Sequence, residues 1–230
     1  MKVEVLPDSA SVARRAANFV AAEARAAAAV RGRFSFAVSG GHTPWLMLRA
    51  LVDEDVPWSA LHLFQVDERL APAGDPDRNL THIGESLLAT GKLPPGQLHA
   101  MPVEAHDLSA AAARYARELA DVAGTPPVLD LVHLGLGPDG HTASLVPGDP
   151  ALDETRDEVT VTGVYQRHQR MTLTFPALDR ARRILWLVTG AEKQPMLARL
   201  RAGDRSIPAG RVRSEDALIL ADAAAAGGKP

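Results

Sequence analysis

Short apolar runs rich in β-branched and aromatic residues alternate along the chain with longer segments whose composition favours helix. The run ILWLV at 184–188 is apolar at every position, which predicts a strand buried on both faces of a sheet. The pattern predicts seven strands, at 34–38, 61–66, 129–134, 159–164, 171–175, 184–188 and 217–220. It predicts five helices, at 9–31, 44–51, 79–88, 108–122 and 192–201.

Helix starts are indicated by Ser9, by Thr43 before a proline, by Asn79 and by Asp107. Because strands and helices alternate, we expect a mainly parallel sheet with helices on both faces, in one domain spanning residues 1–230. Ligands of such sheets bind at the carboxyl ends of the strands. The loops after residues 38, 66, 134 and 188 are therefore the expected site.

The composition excludes several classes of function. The chain has 230 residues, with 25 Lys+Arg against 28 Asp+Glu, a net charge of −3 and no cysteine. A near-neutral balance without a long basic block argues against nucleic acid or a membrane surface as partner, so a small molecule is expected. Disulfides, thiolate zinc sites and cysteine nucleophiles are excluded. With no signal peptide and no run of 18 apolar residues, we expect a cytoplasmic protein.

The first candidate segment is SGGHTP at 39–44, directly after a predicted strand. Gly40 and Gly41 allow a tight turn and close approach of a ligand, and free N–H groups at the start of the next helix favour an anion, so the segment is interpreted as a phosphate cradle. One alternative is a plain glycine-rich turn in which Thr43 caps the helix. Another is a nucleophile elbow around Ser39, which is disfavoured because the last histidine, His168, lies far from the C-terminus.

The second segment is QVDER at 65–69. Asp67 and Glu68 are adjacent at the end of a predicted strand, so both are not expected to point into the core, and one is expected to be free for substrate or water. Arg69 is suited to a bidentate contact with phosphate. The alternative is a solvated ion pair between Arg69 and one of the acids.

The third segment, GLGPDGHTASL at 135–145, contains a G-x-G-x-x-G pattern after a predicted strand. A dinucleotide site is disfavoured because Asp139 would lie beside the pyrophosphate and Pro147 would soon end the following helix. We interpret the glycines as shaping a loop that presents Asp139 and His141, a pairing in which a carboxylate orients a histidine general base. The alternative is a turn at Asp139 followed by a helix that starts at His141.

The fourth segment, TGAEKQ at 189–194, places Lys193 in the first turn of a predicted helix, where the helix dipole disfavours a cation unless an anion is near. Arg170, with Arg167 and His168, forms a basic edge before a predicted strand. Such an edge is more often a solvated strand start than a binding site.

Taken together, these segments resemble the 6-phosphogluconolactonase family, whose relatives include glucosamine-6-phosphate deaminase. The resemblance is carried in family order by 39–44, 67–69, 135–145, TLTFPAL at 172–178 and TGAEK at 189–193. It implies a single three-layer αβα domain with a mainly parallel sheet, of the NagB/RpiA/CoA-transferase-like type. It also implies hydrolysis of 6-phospho-D-glucono-1,5-lactone to 6-phosphogluconate in the oxidative pentose phosphate pathway, with no metal and no cofactor.

The resemblance further implies roles for individual residues. His141 is expected to be the catalytic acid/base, with Asp139 beside it. The expected substrate-binding residues, most of them for the phosphate, are Ser39, Gly40, Gly41, Thr43, Asp67, Arg69, Arg170 and Lys193.

Ser144, Leu145 and Arg69 favour the lactonase branch over the deaminases, while Val146 and Arg78 depart from common family residues. A sugar-phosphate isomerase or deaminase is kept as an alternative, as is a sugar-phosphate sensor that binds without turnover. No helix-turn-helix before residue 34 supports the sensor. The oligomeric state is open, and a monomer is favoured.

Overall fold

The computed structural model describes residues 1–228, which contain ten strands and six α-helices. The strands are β1 Lys2–Leu6, β2 Phe34–Val38, β3 Leu61–Gln65, β4 Asp67–Arg69, β5 Leu98–His99, β6 Leu131–Gly135, β7 Val159–Val161, β8 Arg170–Leu173, β9 Arg183–Val188 and β10 Ala217–Asp222. The helices are α1 Ser9–Arg31, α2 His42–Leu51, α3 Asn79–Ser86, α4 Leu108–Ala123, α5 Phe175–Asp179 and α6 Gln194–Arg201.

Seven strands form a parallel sheet in the order β1-β10-β9-β6-β2-β3-β5. From β2 the chain builds outward through β3 to β5, whereas from β6 it builds in the opposite direction through β9 to β10. The order therefore reverses between β2 and β6. Such a switch point leaves a crevice at the carboxyl ends of the two strands, because the connections leave in opposite directions.

Two apolar clusters cover the two faces of this sheet. Helices α1, α2 and α3 bury one face, against side chains such as Phe36, Leu131 and Leu185. Helices α4, α5 and α6 bury the other, against side chains such as Val132 and Trp186. The predicted three-layer αβα fold with a mainly parallel sheet is confirmed.

A small antiparallel sheet, in the order β4-β8-β7, lies beside the main sheet. It joins the main sheet directly, because β3 ends at Gln65 and β4 begins at Asp67. The small sheet thereby brings the segments 67–69 and 165–173 to the same end of the molecule.

Several predicted boundaries were wrong. The strand predicted at 171–175 stops at Leu173, since Pro176 in the first turn opens α5. The strand predicted at 159–164 ends at Val161. Helix α1 is capped by Asp8, whose side chain accepts from the N–H of Ser11, rather than by its first residue.

Other features were either confirmed or not predicted. Asp107 caps α4 as predicted, whereas α2 already begins at His42 and α3 at Asn79, without a side-chain cap at either start. Strands β1, β4 and β5 were not predicted, because they are charged or very short. Within residues 1–228, no helix is long and apolar enough to cross a membrane.

Candidate active site

A cleft of about 610 Å³ opens at the carboxyl ends of the central strands, at the switch point between β2 and β6. Its walls come from the loops after β2, β6 and β9, together with residues of β4 and β8. The four loops predicted from the sequence, after residues 38, 66, 134 and 188, all contribute residues to the lining of this cleft. Most of the residues predicted for the site line it: Ser39, Gly40, Gly41, Thr43, Asp67, Arg69, His141, Arg170 and Lys193.

Asp139 and His141 form a hydrogen-bonded pair at the mouth of the loop that follows β6. The Nδ1 atom of His141 lies 2.6 Å from Oδ1 of Asp139, and the backbone N–H of His141 donates to the same oxygen at 3.1 Å. Gly137 is required here, because a Cβ at this position would lie 2.1 Å from Nδ1 of His141. With Nδ1 occupied, Nε2 of His141 is the ring nitrogen left for a ligand in the cleft.

The second carboxylate oxygen of Asp139 is also held. Tyr165 donates its hydroxyl to Oδ2 at 3.1 Å, and its ring packs edge-on against that of His141. Burial acts to raise the pKa of Asp139, but the hydrogen bonds and charge of His141 outweigh it and hold this pKa below its usual value. Burial and the hydrogen bond to Asp139 raise the pKa of Tyr165, so its hydroxyl stays a donor.

No helix follows this loop. Instead Thr142 and Leu145 form an isolated antiparallel bridge, and the hydroxyl of Thr142 donates to the carbonyl of Gly135. The alternative that His141 starts a helix is therefore wrong. The loop is closed on itself by the N–H of Gly137, which donates to the carbonyl of His141 at 2.8 Å.

The loop after β2 forms the opposite wall. Gly41 occupies the N-cap position of α2, and the N–H groups of Gly41, His42 and Thr43 have no acceptor within residues 1–228. Gly40 passes so close to α3 that a Cβ there would lie 2.0 Å from Oδ1 of Asn79. The free N–H groups and the helix dipole together favour a bound anion at this wall.

Asp67 is not free for substrate, which corrects one expectation from the sequence. It is 5% exposed, and its two oxygens accept from the hydroxyls of Ser39 at 2.8 Å and Ser144 at 2.7 Å. Ser39 is thereby engaged as a donor and is also buried. Asp67 connects three loops at the floor of the cleft, where its negative charge faces Arg170.

Glu68 is fully buried, so the expectation that only one of the two acids would enter the interior was wrong. It accepts from the side chain of Gln65 and from the N–H groups of Arg69, Asn79 and Leu80. Its remaining partner is the buried guanidinium of Arg78, at 3.1 Å. These contacts fasten β4 to the start of α3, which positions the neighbouring Arg69.

Arg69 lies at the rim of the cleft and is half-buried. Its guanidinium donates to the carbonyl of Asp77 at 2.7 Å and more weakly to Asn79 at 3.3 Å. These contacts involve only Nη1, so the other guanidinium nitrogens remain available to an anion. The alternative, a solvated ion pair between Arg69 and one of the adjacent acids, is not observed. Glu68 accepts the backbone N–H of Arg69, and the oxygens of Asp67 accept from Ser39 and Ser144.

Arg170 is 3% exposed and has no carboxylate within ion-pair distance among the described residues. Its contacts are a long hydrogen bond to the carbonyl of Tyr165 and a guanidinium–ring contact at 5.1 Å to the same residue, while Nε has no partner. Burial lowers its pKa. Arg170 is therefore no solvated strand start, and a buried cation with open donors favours an anionic ligand.

Lys193 closes the far end of the cleft. It is half-buried and ends a short 3₁₀ turn at 191–193 before α6, where its backbone N–H donates to the carbonyl of Gly190 at 3.0 Å. Its ammonium group makes no ion pair or hydrogen bond within residues 1–228. The preceding loop is fixed by two contacts: Thr189 shares a 2.7 Å hydrogen bond with Thr43, and Asp222 accepts from the N–H of Gly190. The ammonium group thus faces a cleft whose walls are already anchored.

Three functional features escaped the sequence analysis. Tyr165 comes from a hairpin tip far from His141 in sequence, and His133 looks like an ordinary member of an apolar strand. Asn79 was interpreted only as a helix start, yet its side chain donates to the carbonyl of Asp67 and lines the cleft. Among residues 1–228, no cluster of three or more histidine, cysteine or acidic side chains has the geometry to hold a metal ion.

The chain is similar to known proteins over nearly its whole length. A family model described as "Glucosamine-6-phosphate isomerases/6-phosphogluconolactonase" matches residues 7–220. A 6-phosphogluconolactonase of Nostoc sp. is 34% identical to this chain, covering 97% of the chain and 96% of the relative. A 6-phosphogluconolactonase of Mycobacterium tuberculosis is 36% identical, covering 99% and 98%.

The solved structures agree with the sequence relatives. The structure of 6-phosphogluconolactonase from Trypanosoma brucei superposes with a TM-score of 0.84 at 28% identity, covering 98% of this chain and 97% of that one. The match therefore covers nearly the whole length of both chains. The resemblance predicted from the sequence segments is confirmed.

Proposed function

The chain belongs to the glucosamine-6-phosphate isomerase/6-phosphogluconolactonase family, and from this premise we propose that it hydrolyses 6-phospho-D-glucono-1,5-lactone to 6-phosphogluconate, in the oxidative pentose phosphate pathway. His141 is the general acid/base. The phosphate is held by the loop after β2 together with Arg69, Arg170 and Lys193.

One observation carries this proposal: an oriented histidine lies in the same cleft as three cations that have no carboxylate partner among residues 1–228. His141 is held by Asp139 at 2.6 Å, while Arg69, Arg170 and Lys193 line other parts of a cleft of about 610 Å³. A phosphorylated sugar lactone carries a dianion at one end and an electrophilic carbonyl at the other. The three cations suit the phosphate, and His141 suits the reaction at the carbonyl.

The reaction begins with attack of water on the lactone carbonyl. Nε2 of His141 takes one proton from the water as its oxygen bonds to C1, and the carbonyl electron pair moves onto the carbonyl oxygen. The imidazolium formed is stabilised by Asp139, whose charge lies against Nδ1. Tyr165 keeps that carboxylate in place.

The tetrahedral intermediate then collapses. The electron pair returns to form the C=O bond, the bond between C1 and the ring oxygen breaks, and Nε2 of His141 gives its proton to that oxygen. The product is a carboxylic acid that ionises to the carboxylate, and His141 is again neutral. One residue therefore serves first as base and then as acid.

Binding of the phosphate at the distant end lowers the barrier by orientation. The cations and the free N–H groups at the start of α2 hold the substrate so that C1 remains beside His141. Interactions remote from the reacting bond are used in this way to offset the entropy of alignment.

The test follows freshly generated 6-phosphogluconolactone with and without the purified protein, with the spontaneous rate subtracted. We expect rapid hydrolysis, and a loss of about 10²-fold or more in kcat for His141→Ala. The matched control is His82→Ala, because His82 lies outside the cleft. Its polar and ring contacts are with the carbonyl of Pro76, Glu85 and the ring of Trp45. The control should retain wild-type turnover.

Two results would contradict the proposal. Release of ammonia from glucosamine 6-phosphate without lactone hydrolysis would place the chain among the deaminases. Tight binding of 6-phosphogluconate with no acceleration of hydrolysis would favour the sensor alternative.

Four further expectations stay predictions: the monomeric state, the cytoplasmic location, the single domain over 1–230, and the absence of a metal or cofactor requirement.

A further inference from the structure

His133 is a fully buried histidine on β6 that the proposed reaction does not use. Its Nδ1 lies 3.3 Å from the backbone nitrogen of Ser39, the first residue of the loop after β2. Its Nε2 is also buried and has no hydrogen-bond partner among residues 1–228. A buried polar group without a partner is costly unless a ligand or water satisfies it.

The position of His133 in the strand indicates where its ring points. Its neighbours Val132 and Leu134 belong to the apolar cluster under α4 to α6. Because side chains alternate along a strand, His133 faces the opposite side, where α1 and α2 pack. It pairs in register with Val38, the last residue before the loop that leads into α2, and it lines the cleft.

The contact with Ser39 determines the tautomer of the ring. A backbone N–H donates, so Nδ1 of His133 must be an unprotonated acceptor, and the hydrogen of the neutral ring is on Nε2. Burial lowers the pKa of His133 to about 3, so the ring stays neutral at physiological pH. The result is a fixed, uncharged and buried N–H donor on a residue that lines the cleft.

The surroundings of this donor favour an oxyanion as its acceptor. The loop that His133 contacts at Ser39 leads into α2, where the N–H groups of Gly41 and Thr43 are also without acceptors in the described chain, and Lys193 lines the same cleft. A set of converging donors is satisfied together by an oxygen-rich anion such as phosphate.

We propose that His133 is a substrate-positioning residue that holds the loop at 39–43 through Nδ1 and donates its Nε2–H to an oxygen of the bound phosphate group. That the bound anion is the phosphate of the substrate rests on the proposed function. That Nε2 of His133 carries the hydrogen rests only on the contact between its Nδ1 and the N–H of Ser39.

The direct test is NMR of protein labelled with ¹⁵N in histidine, titrated with inorganic phosphate. The His133 signals are assigned as those lost in His133→Leu. We expect the Nε2–H tautomer, no titration between about pH 5 and 8, and a shift of the Nε2–H resonance that saturates with phosphate. A resonance that saturating phosphate leaves unmoved, or a ring protonated on Nδ1, would overturn the inference.

Substitutions separate the two ring nitrogens. His133→Gln places an amide nitrogen near the position of Nε2, His133→Asn retains an acceptor near Nδ1, and His133→Leu retains neither. We expect about ten- to hundredfold weaker phosphate binding in the Leu and Asn variants, the range for one lost hydrogen bond to a charged group, and partial recovery in the Gln variant. The matched control is His99→Leu, a half-buried histidine, which lies on β5 outside the cleft.

Failure of this inference is distinguishable from failure of the proposed function. Unchanged phosphate affinity in His133→Leu, with lactone hydrolysis intact in the wild type, removes His133 from the site and leaves the reaction standing. His133-dependent phosphate binding in a protein that hydrolyses no lactone leaves the inference standing and removes the reaction. If His133→Leu does not fold, the wild-type phosphate titration with assignment from His133→Gln decides.

Discussion

Replacing Asp139 by asparagine removes one charge from the candidate site and little else. The carbonyl of the new amide can still accept from the N–H and Nδ1 of His141, and its NH₂ can donate to the hydroxyl of Tyr165, which now acts as acceptor. The geometry of the loop is therefore expected to persist. What is lost is the negative charge that stabilises the imidazolium formed during water attack.

The magnitude follows from the distance and exposure of the pair. Both charges are delocalised, over the imidazolium ring and over the carboxylate, so we take their centres to be about 4 Å apart, which gives an attraction of about 4 kcal/mol at an effective dielectric constant near 20. The side chain of Asp139 is 34% exposed, so solvent screens part of this attraction, and we take about half, about 2 kcal/mol. Because a factor of ten in rate corresponds to about 1.4 kcal/mol, kcat should fall about 30-fold.

The assay is lactone hydrolysis at saturating and subsaturating substrate, with the spontaneous rate subtracted. Since the imidazolium exists only after the proton transfer begins, the loss should appear in kcat, and KM should change less than about threefold. The pKa of Asp139 lies below its usual value, so the carboxylate is charged throughout and the loss should be nearly constant between about pH 6 and 9.

The control is Asp149→Asn, because Asp149 also accepts from backbone N–H groups, those of Ala151 and Gly163, but lies outside the cleft. It should leave both parameters unchanged. A kcat in Asp139→Asn within about threefold of wild type would refute the reasoning. The charge beside His141 would then have no part in the step that limits turnover.

Three further outcomes are expected. Tyr165→Phe removes the 3.1 Å hydrogen bond to Asp139 and should lower kcat about three- to tenfold with an unchanged melting temperature; an unchanged kcat contradicts this role. Gly40→Ala places a Cβ 2.0 Å from Asn79 and should raise the dissociation constant of inorganic phosphate, measured by calorimetry; unaltered affinity would mean the wall tolerates the methyl group. His133 has a folded pKa of about 3 against about 6.5 unfolded, so it favours the folded state above pH 6.5. The contribution of His133 to the free energy of unfolding should fall by about 1.4 kcal/mol for each pH unit below about 6.5. Urea unfolding of the wild type and of His133→Leu at pH 7 and pH 5 measures this difference. An equal pH dependence of stability in the two proteins contradicts the prediction.

The central sheet was predictable because its strands are apolar on both faces. Runs such as ILWLV at 184–188 have no other place in a folded chain than the interior of a parallel sheet. The strands that were not predicted lack this signal: β4 consists of Asp67, Glu68 and Arg69, and becomes a strand only because β8 pairs with it. Pairing partners are a tertiary property that local composition does not contain.

The candidate site was predictable where its residues share a loop. Asp139 and His141 are two positions apart, so their contact is encoded locally by the glycines around them. The contact between Tyr165 and Asp139 joins segments 26 positions apart through the small antiparallel sheet, which no local pattern indicates. The same reason explains why the buried donor of His133 could not be recognised within an otherwise apolar strand.

Arg78 and Val146, which differ from the residues common in the family, both lie outside the cleft in which the reaction is proposed to occur. Arg78 does not line the cleft; it is 2% exposed and neutralises the buried charge of Glu68 at 3.1 Å. Removing either partner alone would leave a charge buried and unpaired, a change that costs stability rather than turnover. Val146 is likewise buried outside the cleft. Both departures therefore lie behind the cleft, and neither alters a residue that lines it.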